Sequence, residues 1–238
     1  MKTALIIGGS KGIGFATAKK FLQNGYNVII TGRGEERLKK ASAELGNCPY
    51  LIWDIKDVSL AEEYVEKAAE FFGGVDVFVN NAGIVAAAQL DGQYFPNVTE
   101  ETWDETININ LKGVYFLLQA EAKYMKANSI KGHIVNVCSE MGFRAIHCPY
   151  GVSKWGVRGM TLGLAKILAH DGIVLNAVAP GETATEILRL EEGVATEMDC
   201  PRGIRAVPNE MANAIFFLAT DDNMIGTILL SDGGRSLH

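Results

Sequence analysis

Tyr150 and Lys154 stand four residues apart in Tyr150-Gly151-Val152-Ser153-Lys154, and Ser139 precedes Tyr150 by eleven. On a helix, residues i and i+4 share one face. A phenol beside an ammonium is acid–base chemistry, because the cation favours the phenolate and lowers the phenol's pKa. Lowering that pKa by about three units from its ordinary value near 10 takes roughly 4 kcal/mol of differential interaction. A serine hydroxyl next to such a pair holds a substrate oxygen. A second group lies near the start of the chain, in Gly8-Gly9-Ser10-Lys11-Gly12-Ile13-Gly14. Glycines there let backbone N–H groups approach a pyrophosphate closely, and a following helix adds partial positive charge. The spacing is Gly-x3-Gly-x-Gly, not the G-x-G-x-x-G of the commoner dinucleotide fingerprint. Together the two groups point to hydride exchange between a carbonyl carbon and a dinucleotide cofactor.

Such groups need a scaffold, and the chain alternates short apolar runs with helical patterns throughout. The predicted strands are Thr3–Ile7, Asn27–Thr31, Tyr50–Trp53, Val75–Asn80, His133–Cys138, Val174–Ala179 and Thr227–Leu230. They are rich in Val and Ile without polar alternation, as expected of strands covered on both faces. The predicted helices are Ile13–Asn24, Glu35–Leu45, Leu60–Phe72, Glu100–Asn128, Ser153–Ala169 and Pro208–Thr220. Gly25, Gly46 and Gly172 read as helix stops, and Thr99 as an N-cap. The alternation predicts an α/β fold: a doubly wound, Rossmann-type parallel β-sheet of about seven strands with helices on both faces. No linker or internal repeat interrupts it, so residues 1–238 are expected to form a single nucleotide-binding domain. Residues 84–98 and 181–207 are the least regular stretches. Each follows the carboxyl end of a predicted strand, where ligands bind in open α/β sheets.

Bulk properties narrow the choice. The 238 residues are 48% hydrophobic with a net charge of −6, so a sizeable core is possible and no broad basic surface invites nucleic acid. The amino-terminal apolar run is too short for a signal peptide or a membrane span. Cys48, Cys138, Cys148 and Cys200 show no metal-ligand spacing, nor do the four histidines, so no metal site is expected and reduced thiols in a cytoplasmic protein are. The predicted second strand ends Ile30-Thr31-Gly32-Arg33 with no Asp to take a ribose 2′-hydroxyl. Arg33 and Lys11 would instead grip a 2′-phosphate, so NADP(H) is expected over NAD(H). Two charged hydrogen bonds of roughly 1.5–3 kcal/mol each favour the phosphorylated cofactor by on the order of a hundredfold or more.

The chain resembles the short-chain dehydrogenase/reductase family, in its compact single-domain branch, from Met1 to about Gly234. Eight motifs stand in the family's order: Gly8-x3-Gly12-Ile13-Gly14, Asp54, Asn80-Asn81-Ala82-Gly83, Asn110, Ser139, Tyr150-x3-Lys154, Pro180-Gly181 and Asp232-Gly233-Gly234. The resemblance implies that Asn110, Ser139, Tyr150 and Lys154 form a catalytic tetrad. Lys154 would also bind the nicotinamide ribose, and Asn110 would position a relay water. Ser10, Lys11 and Ile13 would join the glycines in the cradle, and Asp54 with Ile55 would lie at the adenine. Asn81, Ala82 and Gly83 would line the ribose side. Pro180, Gly181, Thr183 and Thr185 would pass over the nicotinamide. The resemblance further implies a small-molecule carbonyl or alcohol substrate, and a homodimer or homotetramer. Its interface would use the helix over 100–128 (Val114, Phe116, Leu117, Leu118) and the one after Tyr150 (Trp155, Met160, Leu164).

Some features leave the substrate open. The segment between Ser139 and Tyr150 is about two residues shorter than is common in the family, which affects pocket shape more than chemistry. Arg144, His147 and Cys148 lie in it. Residues 84–96 contain Gln89, Asp91, Gln93, Tyr94 and Phe95, a mixture suited to contact with a polar substrate, and the glutamates of 181–207 give little reason to expect a strongly anionic one. Two rivals remain for the activity: a catalytically silent NADP(H)-binding sensor, and an epimerase or dehydratase using the same Tyr–Lys pair. The full tetrad argues against the first. The second usually carries a longer carboxyl-terminal substrate region, for which the stretch after Gly234 leaves little room.

Overall fold

The computed structural model describes residues 1–237. Seven parallel strands form one sheet in the order β3-β2-β1-β4-β5-β6-β7. They are β1 (Thr3–Ile7), β2 (Asn27–Gly32), β3 (Tyr50–Ile52), β4 (Val77–Asn80), β5 (His133–Val137), β6 (Val174–Pro180) and β7 (Ile228–Ser231). The helices are α1 (Gly12–Gln23), α2 (Glu35–Glu44), α3 (Ala61–Glu70), α4 (Ala87–Leu90), α5 (Glu100–Ile107), α6 (Val114–Ala127), α7 (Pro149–Leu168) and α8 (Pro208–Leu218). The predicted strands all form, with ends moved by one or two residues. Gly25, Gly46 and Gly172 sit at positive φ just past their helices, and the Thr99 hydroxyl accepts from Thr102 N–H at the start of α5.

Alternation along β1 shows how both sheet faces are covered. Leu5 and Ile7 join a core with Phe78, Val65, Leu117 and Leu168, on the side of α3, α6 and α7. Ala4 and Ile6 join the opposite core with Phe21, Ile30, Leu38 and Ile215, on the side of α1, α2 and α8. A period of two puts neighbours on opposite faces, and each fully buried Leu, Ile or Phe contributes roughly 1.5–3 kcal/mol. Within the first core a polar cluster ties four elements together. Asn80 Nδ2 donates to Glu121 Oε2 and to Asn136 Oδ1, both at 3.0 Å, and Asn136 Nδ2 donates to Thr161 Oγ1 at 2.9 Å. Burial pushes the Glu121 carboxyl well above the usual carboxylate range.

Two predicted helices differ. The span 100–128 is not continuous: a π-helical segment at Asn108–Gly113 separates α5 from α6. The wider turn accompanies a long-range contact, because Asn110 is drawn into the loop after β4. The helix carrying Tyr150 begins at Pro149, four residues earlier than expected. Proline's fixed φ suits the first helical position, where no N–H is needed, so Tyr150 lies within the first turn.

The sheet order reverses between β1 and β4, whose neighbours run outward in opposite directions. The crevice at the carboxyl ends of these strands is where such a sheet receives ligands. Residues 8–14 follow β1 there, and 81–86 follow β4.

Candidate active site

The glycine turn is shaped by its neighbours. Gly8 has φ +78°, and a Cβ on it would lie 3.0 Å from the Ala82 backbone. Asn81 Nδ2 donates to Gly8 O at 2.8 Å, bracing the turn against the end of β4. A Cβ on Gly14 would fall 2.1 Å from Gly8 O, so no side chain fits where α1 departs. On its outer side the turn meets residues 181–207: the Thr185 methyl lies 3.3 Å from where a Gly12 Cβ would be. Gly12 N–H donates to Glu192 Oε1 at 2.9 Å. Its acceptor is thus an anionic oxygen, the kind of group that N–H groups at a helix start favour. Lys11 Nζ lies 3.1 Å from Glu186, and Arg37 on α2 lies 3.5 Å from the same carboxylate. Arg33, at the end of β2, faces Asp54 at 3.9 Å. Ser10 Oγ sits over Gly32, 3.5 Å from where its Cβ would be. Ile55 is buried in the core, so only its backbone borders the crevice.

The second group assembles around α7 and the π-helical segment. Asn110 is fully buried; its Oδ1 accepts from Ile84 N–H at 2.8 Å and its Nδ2 donates to Ile84 O at 2.7 Å. Its side-chain amide is thus committed to the loop after β4, a structural duty beyond the expected placing of a water. π-bulges recur at functional sites for such re-aiming. A Cβ on Gly83 would lie 3.3 Å from Asn110 Oδ1 and 3.8 Å from Lys154 Nζ, so Gly83 separates the two. Lys154 Nζ donates to Val137 O at 2.9 Å and sits over the Tyr150 ring, 5.5 Å from its centroid. Ser139 follows β5 with extended backbone, and its Oγ accepts from Met141 N–H at 3.2 Å.

The electrostatics depart from the simple expectation. Burial pushes the Tyr150 phenol up to about 12, with the Ser139 hydroxyl acting in the opposite direction. Burial also holds Lys154 below the usual lysine value. Desolvation disfavours both charged forms, and the opposing influence on the phenol is the Ser139 hydroxyl. Cys138 is buried with a raised thiol pKa, and its Sγ donates to Lys154 O at 3.3 Å. That fits a packed strand end and not a nucleophile.

An ion-pair chain that sequence reasoning missed surrounds Ser139. Its neighbour Glu140 is buried, and Arg235 Nη1 reaches both Glu140 and Glu182 at 2.8 Å. Arg144 adds a second contact to Glu140 at 3.3 Å. Arg205 completes the chain on Glu182 at 3.0 Å. Arg235 thereby ties the carboxyl-terminal residues to the Ser139 turn and to the root of 181–207. Pro180 ends β6, and a Cβ on Gly181 would lie 2.7 Å from Asp232 Cα. Thr183 and Thr185 are buried, and Thr185 Oγ1 donates to Thr183 O at 3.1 Å. Beside the amino terminus of α7 lies an open cavity of 640 Å³, walled by Phe95, Trp103, Ile146, Cys148, Pro149 and Val152.

The chain matches the family model for short chain dehydrogenases over residues 2–193. It is 38% identical to a 3-oxoacyl-[acyl-carrier-protein] reductase FabG of Thermotoga maritima, covering 98% of this chain and 97% of that protein. It is 35% identical to a 3alpha-hydroxysteroid dehydrogenase of Mediterraneibacter gnavus, covering 98% and 96%. Among solved structures it superposes on ElxO with NADP bound at a TM-score of 0.86, with 34% identity over 98% of both chains. The chain belongs to the short-chain dehydrogenase family, and with that family it is an oxidoreductase of hydroxyl and keto groups that uses a nicotinamide cofactor.

Proposed function

We propose that this chain is an NADP(H)-dependent reductase of ketones or aldehydes, working also in reverse, with Tyr150 as general acid and base. The observation that carries the reading is the convergence of Ser139, Tyr150, Lys154 and Asn110 at the crevice onto which the glycine turn opens. The turn fits the cofactor: a Cβ has no room at Gly8 or Gly14, and Gly12 N–H already holds an anionic oxygen. Gly8, Ser10, Gly12, Ile13 and Gly14 would hold its pyrophosphate. Arg33 and Lys11 would hold a 2′-phosphate, Asp54 and the Ile55 backbone would border the adenine, and Asn81 to Gly83 the ribose. Pro180, Gly181, Thr183 and Thr185 would cover the nicotinamide end. When bound, the cofactor supplies hydride to the carbonyl carbon or takes it back, and its oxidised ring brings positive charge.

Ser139 Oγ donates to the substrate oxygen and orients it. Tyr150 donates its phenolic proton to that oxygen as negative charge develops there. The half-buried phenol is neutral at pH 7 and therefore loaded as an acid; an oriented donor aimed at developing charge is the most effective kind. Lys154 stabilises the phenolate left behind and binds the nicotinamide ribose. Asn110 fixes the loop after β4 and so the gap beside Gly83.

Residues 1–238 serve as one domain in this reading. Tyr115, Phe116, Trp155 and Leu162 are exposed on α6 and α7 and support a homodimer or homotetramer. Val114, Leu117 and Leu118, expected at that interface, are buried in the core instead. The four unpaired cysteines favour a reducing, cytoplasmic setting. No helix of the described residues is long and apolar enough to cross a membrane. The test is a panel of carbonyl compounds with NADPH, led by bulky apolar ketones because the cavity before Tyr150 is mainly apolar. Consumption of NADPH with formation of the alcohol is expected. Tight NADPH binding with no turnover across a broad panel would favour a cofactor sensor instead.

A further inference from the structure

Residues 181–207 close the crevice by three contacts that lie far apart in sequence. Glu192 accepts from Gly12 N–H. Glu186 sits between Lys11 and Arg37. Arg189, at φ +56°, pairs with Asp91 in the loop after β4 at 2.5 Å. The first two contacts place carboxylates on groups suited to phosphate: a backbone N–H at the start of α1, and a pair of cations, Lys11 just before α1 and Arg37 on α2. The Lys11 ammonium holds the Glu186 carboxyl below the usual carboxylate range, so this group stays charged there at neutral pH.

We propose that Glu192 and Glu186 are internal occupants of two anion-binding positions of the cofactor crevice, so that this segment is a self-latched lid competing with the dinucleotide. The inference rests on the NADP(H) reading above. Glu192 stands in for a pyrophosphate oxygen common to both nicotinamide cofactors. Glu186 stands in for the 2′-phosphate, which only NADP(H) carries, and it brings Arg37 into that seat as a third cation beside Lys11 and Arg33. Binding of the nucleotide must free both carboxylates. The Arg189–Asp91 pair then remains the only one of the three contacts not contested by the ligand, and it holds the lid over the substrate loop. The device makes cofactor affinity a difference between two sets of interactions with the same N–H and ammonium groups.

The test is equilibrium binding of NADPH and of NADH to the whole chain and to its Glu186→Gln and Glu192→Gln variants. Both glutamates are exposed, so each neutralisation should release about two- to fivefold in affinity, the range of exposed ion pairs. Glu192→Gln is expected to tighten NADPH and NADH alike. Glu186→Gln is expected to tighten NADPH and leave NADH unchanged. Without nucleotide, trypsin should cut after Arg189 faster in both variants than in the parent chain. Variants that bind as the parent does, or more weakly, would overturn the inference while leaving the cofactor reading intact. A parent chain that binds neither nucleotide would bring down the cofactor reading, and the competition with it.

Discussion

Tyr150→Phe is expected to lower turnover by about a hundred- to ten-thousandfold, the contribution of a well-placed general acid. NADPH binding should stay within about twofold of the parent, since the lost group contacts the substrate and makes one polar contact at most with the nucleotide. The effect is large because nothing else nearby replaces the proton. Lys154 donates to Val137 O and points over the ring, and the Cys138 thiol is turned to Lys154 O. The fold should tolerate the change, because the polar neighbour of the Tyr150 hydroxyl is Ser139 within the same site, and the ring itself is kept. Steady-state kinetics beside nucleotide titration separate the two quantities. Residual turnover above about a tenth of the parent's would move the acid role to another group.

The second large effect concerns the choice of cofactor. Replacing Lys11 and Arg33 together by alanine is expected to lower kcat/KM with NADPH by about ten- to a hundredfold, as two partly exposed charged hydrogen bonds are lost. The NADH value should change by less than about threefold, because its 2′-hydroxyl asks for no cation. The effect belongs at the nucleotide's adenosine end, since Lys11 and Arg37 converge on one carboxylate and Arg33 stands beside Asp54. Arg37 leaves one cation behind, which is why the loss is bounded. A parent chain with higher efficiency on NADH than on NADPH would contradict the assignment outright.

The strands were legible because their apolar runs are short and β-branched, and β1, β4 and β6 are buried throughout as that pattern demands, while the edge strands β3 and β7 are partly exposed. The Tyr150–Lys154 pair and the glycine turn are legible because their spacing is local: Tyr150 to Lys154 is about one helical turn, and Gly8 to Gly14 spans one turn and the start of α1, whereas Asn110 and the tetrad role of Ser139 enter only through the family resemblance. What escaped notice depends on distant partners. The residues around Asn110 read as ordinary helix, and only the bond to Ile84 across the loop after β4 shows why the turn widens. Glu192 and Gly12 are 180 positions apart, and Arg235 and Glu140 are 95 apart; no periodicity announces such pairs. The electrostatics of Tyr150 divide the same way. Lys154 is visible in the sequence, whereas the desolvation that raises the phenol and lowers the lysine comes from the packing around both. The apolar residues of α6 show the same division: Phe116 and Tyr115 face outward while Leu117 and Leu118 are core, and helical phase alone distinguishes them.

In the proposed reaction, hydride from a nicotinamide and a proton from Tyr150 meet on one carbonyl. The direct measurement is reduction of a ketone from the panel with NADPH deuterated on the transferred face of C4, followed by mass spectrometry of the alcohol. One deuterium is expected on the carbinol carbon, formed by the parent chain and nearly absent with Tyr150→Phe. Alcohol without the label, or labelled alcohol formed equally fast by both chains, would contradict it.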